Sequence, residues 1–240
     1  MVIKDISMNV RAGEVVGIAG LMGAGRTEFA MSVFGHSWGR FVSGSILLRG
    51  KEIDVHTIPA AVRNGLAYVT EDRKTYGLVL MNDVKTNVTL ANLEGVSPRN
   101  VLSEPREVQV ANTYRDKLNI KCSSVRQTTV NLSGGNQQKV VLSKWLFANP
   151  DVLILDEPTR GIDVGAKYEI YSIINALAAE GKAVIVISSE LPEILGVSDR
   201  IYVMAAGRIA AEMPAAEASQ EAIMKAIMRL GRAGAEGIVA

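Results

Sequence analysis

The sequence predicts an α/β fold, a sheet flanked by helices with a mostly helical insertion, and three observations predict it. Apolar runs suited to strands buried on both faces, Val152-Leu153-Ile154-Leu155 and Ala183-Val184-Ile185-Val186-Ile187, bracket a helix-length segment. Two glycine-rich turns, Gly20 to Gly25 and Gly134-Gly135, stand where a helix begins. From about Asp83 to Thr129 the chain turns more polar, carries Pro98 and Pro105, and takes on helical apolar spacing.

In chain order, Glu14 to Ala19 reads as a short apolar strand running into Gly20 to Thr27, with a helix expected from Glu28. Ser45 to Arg49 and Ala67 to Val69 read as further strands punctuated by Gly44, Gly50 and Gly65. A helix over Glu107 to Leu118 follows from Val110, Tyr114 and Leu118 at four-residue spacing. At Leu132 to Lys139 the paired glycines clear side chains from a helix start, Ser133 can cap it, and Val140, Val141, Trp145 and Leu146 supply the apolar stripe. Gln137, Gln138 and Lys139 are expected on the exposed side of that helix. The strand Val152 to Leu155 delivers Asp156-Glu157 to its C-terminal end, the edge where open α/β sheets bind ligands and metals. Later elements are a helix from Ala166 to Glu180, strands Ala183 to Ile187 and Ile201 to Met204, an amphipathic helix from Gln220 to Leu230 and a disordered small-residue tail. The expected division is 1–82 and 132–212 for the α/β core, 83–131 for the helical insertion and 213–240 for the terminal helix and tail.

Composition bounds the function. The 240 residues, 48% of them hydrophobic, can bury a full core. A net charge of +1 argues against a dedicated nucleic-acid binder, whose affinity rests on a basic patch. The single Cys122 excludes an internal disulfide and suits a reducing compartment. Apolar runs fall short of the roughly 18 residues needed to span a bilayer, so a membrane role must come through a partner.

Gly20-Leu21-Met22-Gly23-Ala24-Gly25-Arg26-Thr27 matches the phosphate-binding loop G-x-x-x-x-G-K-[ST] except that Arg26 replaces lysine. The strand before it and the helix after it suit a loop that aims backbone N–H groups at a triphosphate and sets the Thr27 hydroxyl on Mg²⁺. A glycine turn with a surface arginine is the plain structural alternative.

These residues resemble an ATP-binding cassette (ABC) ATPase domain across nearly the whole chain. Gly20 to Thr27 resembles the Walker A loop, Leu132 to Asn136 the family signature, Leu153 to Glu157 the Walker B strand, and Gly161-Ile162-Asp163 the D-loop. The signature Leu-Ser-Gly-Gly-Asn-Gln-Gln-Lys and the stretch Asp156 to Lys167 are similar to the importers of ribose, galactose, arabinose and xylose. There one polypeptide carries two tandem cassettes, and the chain resembles the second. The resemblance implies a P-loop NTPase core, a mixed sheet with an antiparallel portion and a helical subdomain. It implies ATP and Mg²⁺ as cofactors, with Gly20, Leu21, Met22, Gly23, Ala24, Gly25, Arg26, Thr27 and Glu28 holding phosphates and Thr27, Glu71 and Asp156 holding the metal. Ser133, Gly134, Gly135 and Asp163 would contact nucleotide across a head-to-tail pair. Glu157, Glu71 and Ser189 fall at the catalytic positions. The implied partners are another cassette, N-terminal in the same polypeptide, membrane permease subunits and, indirectly, a sugar-binding protein, at the cytoplasmic face of the inner membrane.

Three departures cluster at one nucleotide site. Arg26 is a bulkier planar fork than lysine, Glu71 stands for the Q-loop glutamine, and Ser189 stands for the switch histidine. The family's adenine-stacking aromatic would lie upstream of the first strand, and no aromatic precedes Phe29, which suits a domain taken from a longer chain. The resemblance therefore implies an ATP hydrolase that is weak or inactive alone, offering its signature to a partner's site. Two other readings stay open: a soluble ABC ATPase acting without a membrane partner, and a regulatory nucleotide-binding module without hydrolysis.

Overall fold

The computed structural model describes residues 2–39 and 42–236, with side chains through residue 230. The chain divides into two compact units. The first comprises Met1–Tyr68, Asp151–Glu157 and Ile174–Ala240. Its strands are β1 (Val15–Gly20), β2 (Leu47–Leu48), β3 (Lys51–Glu52), β4 (Leu66–Val69, whose last residue opens the second unit), β5 (Val152–Asp156), β6 (Ala183–Ser188), β7 (Arg200–Ala205) and β8 (Arg208–Pro214). The six-stranded sheet runs β4-β5-β6-β1-β7-β8. β5, β6, β1 and β7 pair in parallel, and β8 returns antiparallel to β7. Every residue of β1 and β6 is buried, as the unbroken apolar runs demand.

One strand expectation needs correction here. Only Leu47–Leu48 of the expected strand Ser45 to Arg49 is extended, because Arg49 and Gly50 both take positive φ (52° and 75°) and fold the chain back onto Lys51–Glu52. Two successive left-handed residues match the twist of a tight hairpin. The same device, Ala206 and Gly207 at φ 49° and 75°, makes β8, which the reading of apolar runs did not place. Its residues are half-exposed, so it lacks the continuous apolar run that marks the central strands.

The helices of this unit are α1 (Arg26–Val33), α2 (Ile58–Arg63), α7 (Leu191–Val197) and α8 (Gln220–Glu236). α1 starts two residues before the expected Glu28, directly on the phosphate-loop glycine Gly25. α8 packs on β7 and β8 and continues six residues past the expected Leu230. The expected disordered tail is thus helical backbone as far as Glu236, and residues 237–240 lie outside the described ones.

The second unit comprises Val69–Pro150 and Pro158–Ile173, with α3 (Val84–Thr89), α4 (Glu104–Lys117), α5 (Gly134–Phe147) and the start of α6 (Val164–Ala179). α4 begins three residues before the expected Glu107, since Pro105 occupies a first-turn position where its missing N–H costs nothing. Fully buried Asn87 acts as an internal staple: its Oδ1 accepts from Val79 N at 2.8 Å and its Nδ2 donates to the oxygens of Val79 and Thr129, each at 3.0 Å. Such paired burial avoids the penalty of an unsatisfied amide.

Gln137, Gln138 and Lys139 correct a further expectation, being 5%, 3% and 2% exposed. Helical patterning sends polar residues to solvent, but here the tips of Gln137 and Lys139 find protein partners. Gln137 Nε2 donates to Thr129 O at 3.2 Å, and Lys139 Nζ donates to Asn119 O at 2.8 Å and pairs with Glu169 Oε2 at 2.6 Å.

Candidate functional site

In the first unit the loop Gly20 to Thr27 leaves the C-terminal end of β1. Gly23 and Gly25 take positive φ (79° and 95°), the region glycine enters without penalty, and Gly25 caps α1. A Cβ on Gly20 would lie 2.6 Å from Met204 O, so the loop start requires glycine for space as well. Leu21 and Met22 are 52% and 88% exposed at the loop tip, so any hold on a ligand there runs through backbone. Glu28 lies in the first turn of α1.

Asp156 closes β5 and has no exposed surface. Its Oδ2 accepts from the Tyr68 hydroxyl at 2.8 Å, while Oδ1 has no hydrogen-bond partner. Burial pushes its pKa up to about 6, against the pull of hydrogen bonds from Thr27 and Tyr68; the neighbouring Glu157 charge adds to the rise and Arg26 opposes it. An unsatisfied buried carboxylate oxygen costs free energy that a divalent cation would recover, and the Thr27 hydroxyl is a hard oxygen donor beside it. The pair therefore fits Mg²⁺. Among the described residues no group of three or more His, Cys, Asp or Glu is placed to hold a metal, so the protein itself would supply only part of such a shell.

The raised pKa has a consequence for stability. The ordinary value near 3.8 applies to the unfolded chain, so the folded chain holds the Asp156 proton more tightly. Its contribution is complete below about pH 4 and is lost as pH rises through 6, a change of about 3 kcal/mol. In metal-free buffer the wild type should lose stability relative to Asp156→Asn between pH 4 and 6.5. Parallel melting curves across that range would contradict this.

Glu157 sits at φ 47°, a left-handed conformation that costs a residue with a Cβ roughly 1–2 kcal/mol. Glu157 N donates to Ile187 O at 2.8 Å, and the carboxylate Oε1 accepts from Ser189 N at 2.8 Å. Arg26 Nη2 lies 3.4 Å from the same Oε1, and Arg26 Nη1 donates to Ser188 O in a short contact. Arg26 and Glu157 side chains are 8% and 10% exposed. Burial pulls the guanidinium's pKa down, offset by Glu157, Asp156 and Glu28. Removing one partner of such a pair strands the other, so Arg26→Met should destabilise the chain by ~3 kcal/mol in chemical denaturation, and Glu157→Gln in the same chain should restore most of it. Additive losses would refute the pairing.

The other expected residues belong to the second unit. Ser133, at φ −62° and ψ 158°, caps α5, its hydroxyl oxygen accepting from Asn136 N at 3.4 Å. A Cβ on Gly134 would meet Arg73 Nη2 at 2.8 Å and Gly161 O at 3.1 Å; one on Gly135 would meet Ala166 Cβ at 2.6 Å. Asp163 Oδ1 accepts from Ala166 N at 2.9 Å, capping α6. A cavity of about 270 Å³ opens among Ser133, Gly135, Asn136, Asp163, Lys121 and Glu169. Glu71 forms an ion pair with Arg160, and Arg73 Nη1 donates to Arg160 O at 2.8 Å.

Tyr68, Ser188, Arg160 and Arg73 escaped the motif reading. Only Tyr68 carried a signal: a tyrosine in a buried strand needs a partner for its hydroxyl. The others act through a backbone carbonyl or a long-range pair that spacing does not encode.

A family model described as ABC transporter matches residues 3–160. The chain is 58% identical to the L-arabinose transport ATP-binding protein of Geobacillus stearothermophilus, over 93% of its own length and 44% of that protein. It is 51% identical to a ribose import ATP-binding protein of Clostridium perfringens, again over 93% of itself and 44% of the relative. The chain thus spans less than half the length of these relatives. A crystal structure of a nucleotide-free ATP-binding cassette superposes with a TM-score of 0.76 at 22% identity, covering 95% of this chain and 89% of the other. A dimeric post-hydrolysis cassette bound to ADP and phosphate gives 0.74 at 20% identity, covering 89% and 90%. Likeness at that identity establishes the fold, and the sequence match establishes the lineage: the chain belongs to the ABC transporter ATP-binding family.

Proposed function

We propose that this chain is a nucleotide-binding cassette of a sugar importer, binding ATP with Mg²⁺ at a slow site of its own and offering its signature loop to the faster site of another cassette. One observation carries the slow-site reading. The Arg26 guanidinium, which stands where the phosphate-loop lysine belongs, is engaged by Glu157 and by the Ser188 carbonyl. Glu157 is the carboxylate placed to orient or deprotonate an attacking water, and a cation on its Oε1 weakens it as a base. Ser189 contributes its backbone N–H to the same carboxylate. Asp156 and Thr27 would hold Mg²⁺, which supplies charge neutralisation between phosphate oxygens. Glu71 is a weaker metal candidate, because a cation there must compete with Arg160.

The signature side supports the second half of the proposal. Ser133, Gly134 and Gly135 are held at the start of α5, where N–H groups and the helix dipole favour anions. Relatives named for arabinose, xylose and ribose point to a pentose-type cargo. Among the described residues no helix is long and apolar enough to cross a membrane. Kinship with import ATP-binding proteins supports a peripheral place at the cytoplasmic face of the inner membrane, against permease subunits and another cassette N-terminal in the same polypeptide.

Isothermal titration of this chain beside a phosphate-release assay tests the reading. ATP should bind in a Mg²⁺-dependent manner with phosphate release near background. Absence of binding, or rapid turnover by this chain alone, would overturn it.

A further inference from the structure

We propose that Asn136 is a positioning residue that sets the direction of the Ser133 hydroxyl, turning its O–H outward toward the phosphate of a nucleotide held by another cassette. The inference rests on the reading above, in which the signature acts in trans.

The amide orientation follows from its partners. Lys121 N lies 2.8 Å from Asn136 Oδ1, and a backbone N–H can only donate, so oxygen must face it. The amide's Nδ2 therefore faces Ser133, 2.9 Å from Oγ. Asn136 N approaches the same Oγ at 3.4 Å. Both donors come from Asn136 and occupy the oxygen's two lone pairs. The hydroxyl proton cannot point at either donor, and it is left free to donate elsewhere. Ser133 is exposed at the rim of the cavity it shares with Gly135 and Asn136, so that elsewhere is the open side.

The anchor is stiff. Lys121 lies two residues after Asn119, which holds φ 51° and whose carbonyl accepts from the buried Lys139. Ile120 N donates to Arg115 O at 2.8 Å. Asn136 thus spans from a fixed loop to the signature serine, and it pre-organises a neutral donor for developing phosphate charge.

Asn136→Asp is nearly isosteric, but it turns the donor facing Ser133 into an acceptor. The hydroxyl would then donate inward to the carboxylate. Asn136→Ala removes both contacts and lets the hydroxyl rotate. In the full-length protein with its partner cassette, the kcat and KM of ATP hydrolysis should be measured for Ser133→Ala, Asn136→Asp, Asn136→Ala and the double variant Ser133→Ala with Asn136→Asp. Asn136→Asp should lower kcat about tenfold or more, exceed the loss in Asn136→Ala, and add less than about twofold in the Ser133→Ala background. A merely structural role would make alanine the worse substitution and the losses additive, and either result overturns the inference. Impaired Ser133→Ala with unimpaired Asn136→Asp overturns this inference alone. Unimpaired Ser133→Ala overturns the trans reading and this inference with it.

Discussion

Alanine at Gly135 is expected to lower the stability of the chain by about 2 kcal/mol and to cut ATP hydrolysis by the full-length protein about a hundredfold. The added Cβ would sit 2.6 Å from Ala166 Cβ, whereas non-bonded carbons settle near 3.5–4.0 Å. Neither atom has a torsion by which to retreat, so the start of α5 must move away from the first turn of α6. That turn is tied by the Asp163 cap on Ala166 N, and the start of α5 carries Ser133. Movement therefore displaces the signature serine along with the helix. Differential scanning calorimetry should register a fall of about 4–8 °C. Ala166→Gly removes the opposing methyl and should return most of both stability and activity. An unchanged melting temperature in Gly135→Ala, or no rescue by Ala166→Gly, would refute the contact.

The central sheet was legible because β1, β5, β6 and β7 are buried strands, and continuous apolar runs such as Val152 to Leu155 have few other uses. β8 was not, since a half-exposed strand beside one neighbour needs no such run; its signal is the Ala206-Gly207 turn alone. The same limit explains Gln137, Gln138 and Lys139. Helical periodicity assumes that polar tips go to water, and it cannot foresee Thr129 O or Asn119 O waiting inside. Around the candidate site, motif spacing singled out Gly20 to Thr27, Ser133 to Gly135 and Asp156-Glu157. It did not reveal Tyr68 on Asp156 or Arg26 on the Ser188 carbonyl, contacts between residues that only the strand order brings together. Local motifs can be read from spacing, and the long-range pairing around them cannot.

Division of labour between the chain's own nucleotide site and its signature loop is the central claim, and a paired substitution tests it. Ser133→Arg replaces a capping hydroxyl with a long cation at the mouth of the signature cavity, filling the space where a partner's phosphate would approach and removing the donor that Asn136 aims at it. Glu157→Gln instead neutralises the proposed base, a carboxylate already held by Arg26. The decisive measurement is steady-state ATP hydrolysis by the full-length protein carrying each change separately. Ser133→Arg should lose about a hundredfold or more, and Glu157→Gln should lose no more than about twofold. Wild-type hydrolysis by Ser133→Arg, or a collapse confined to Glu157→Gln, would contradict the account.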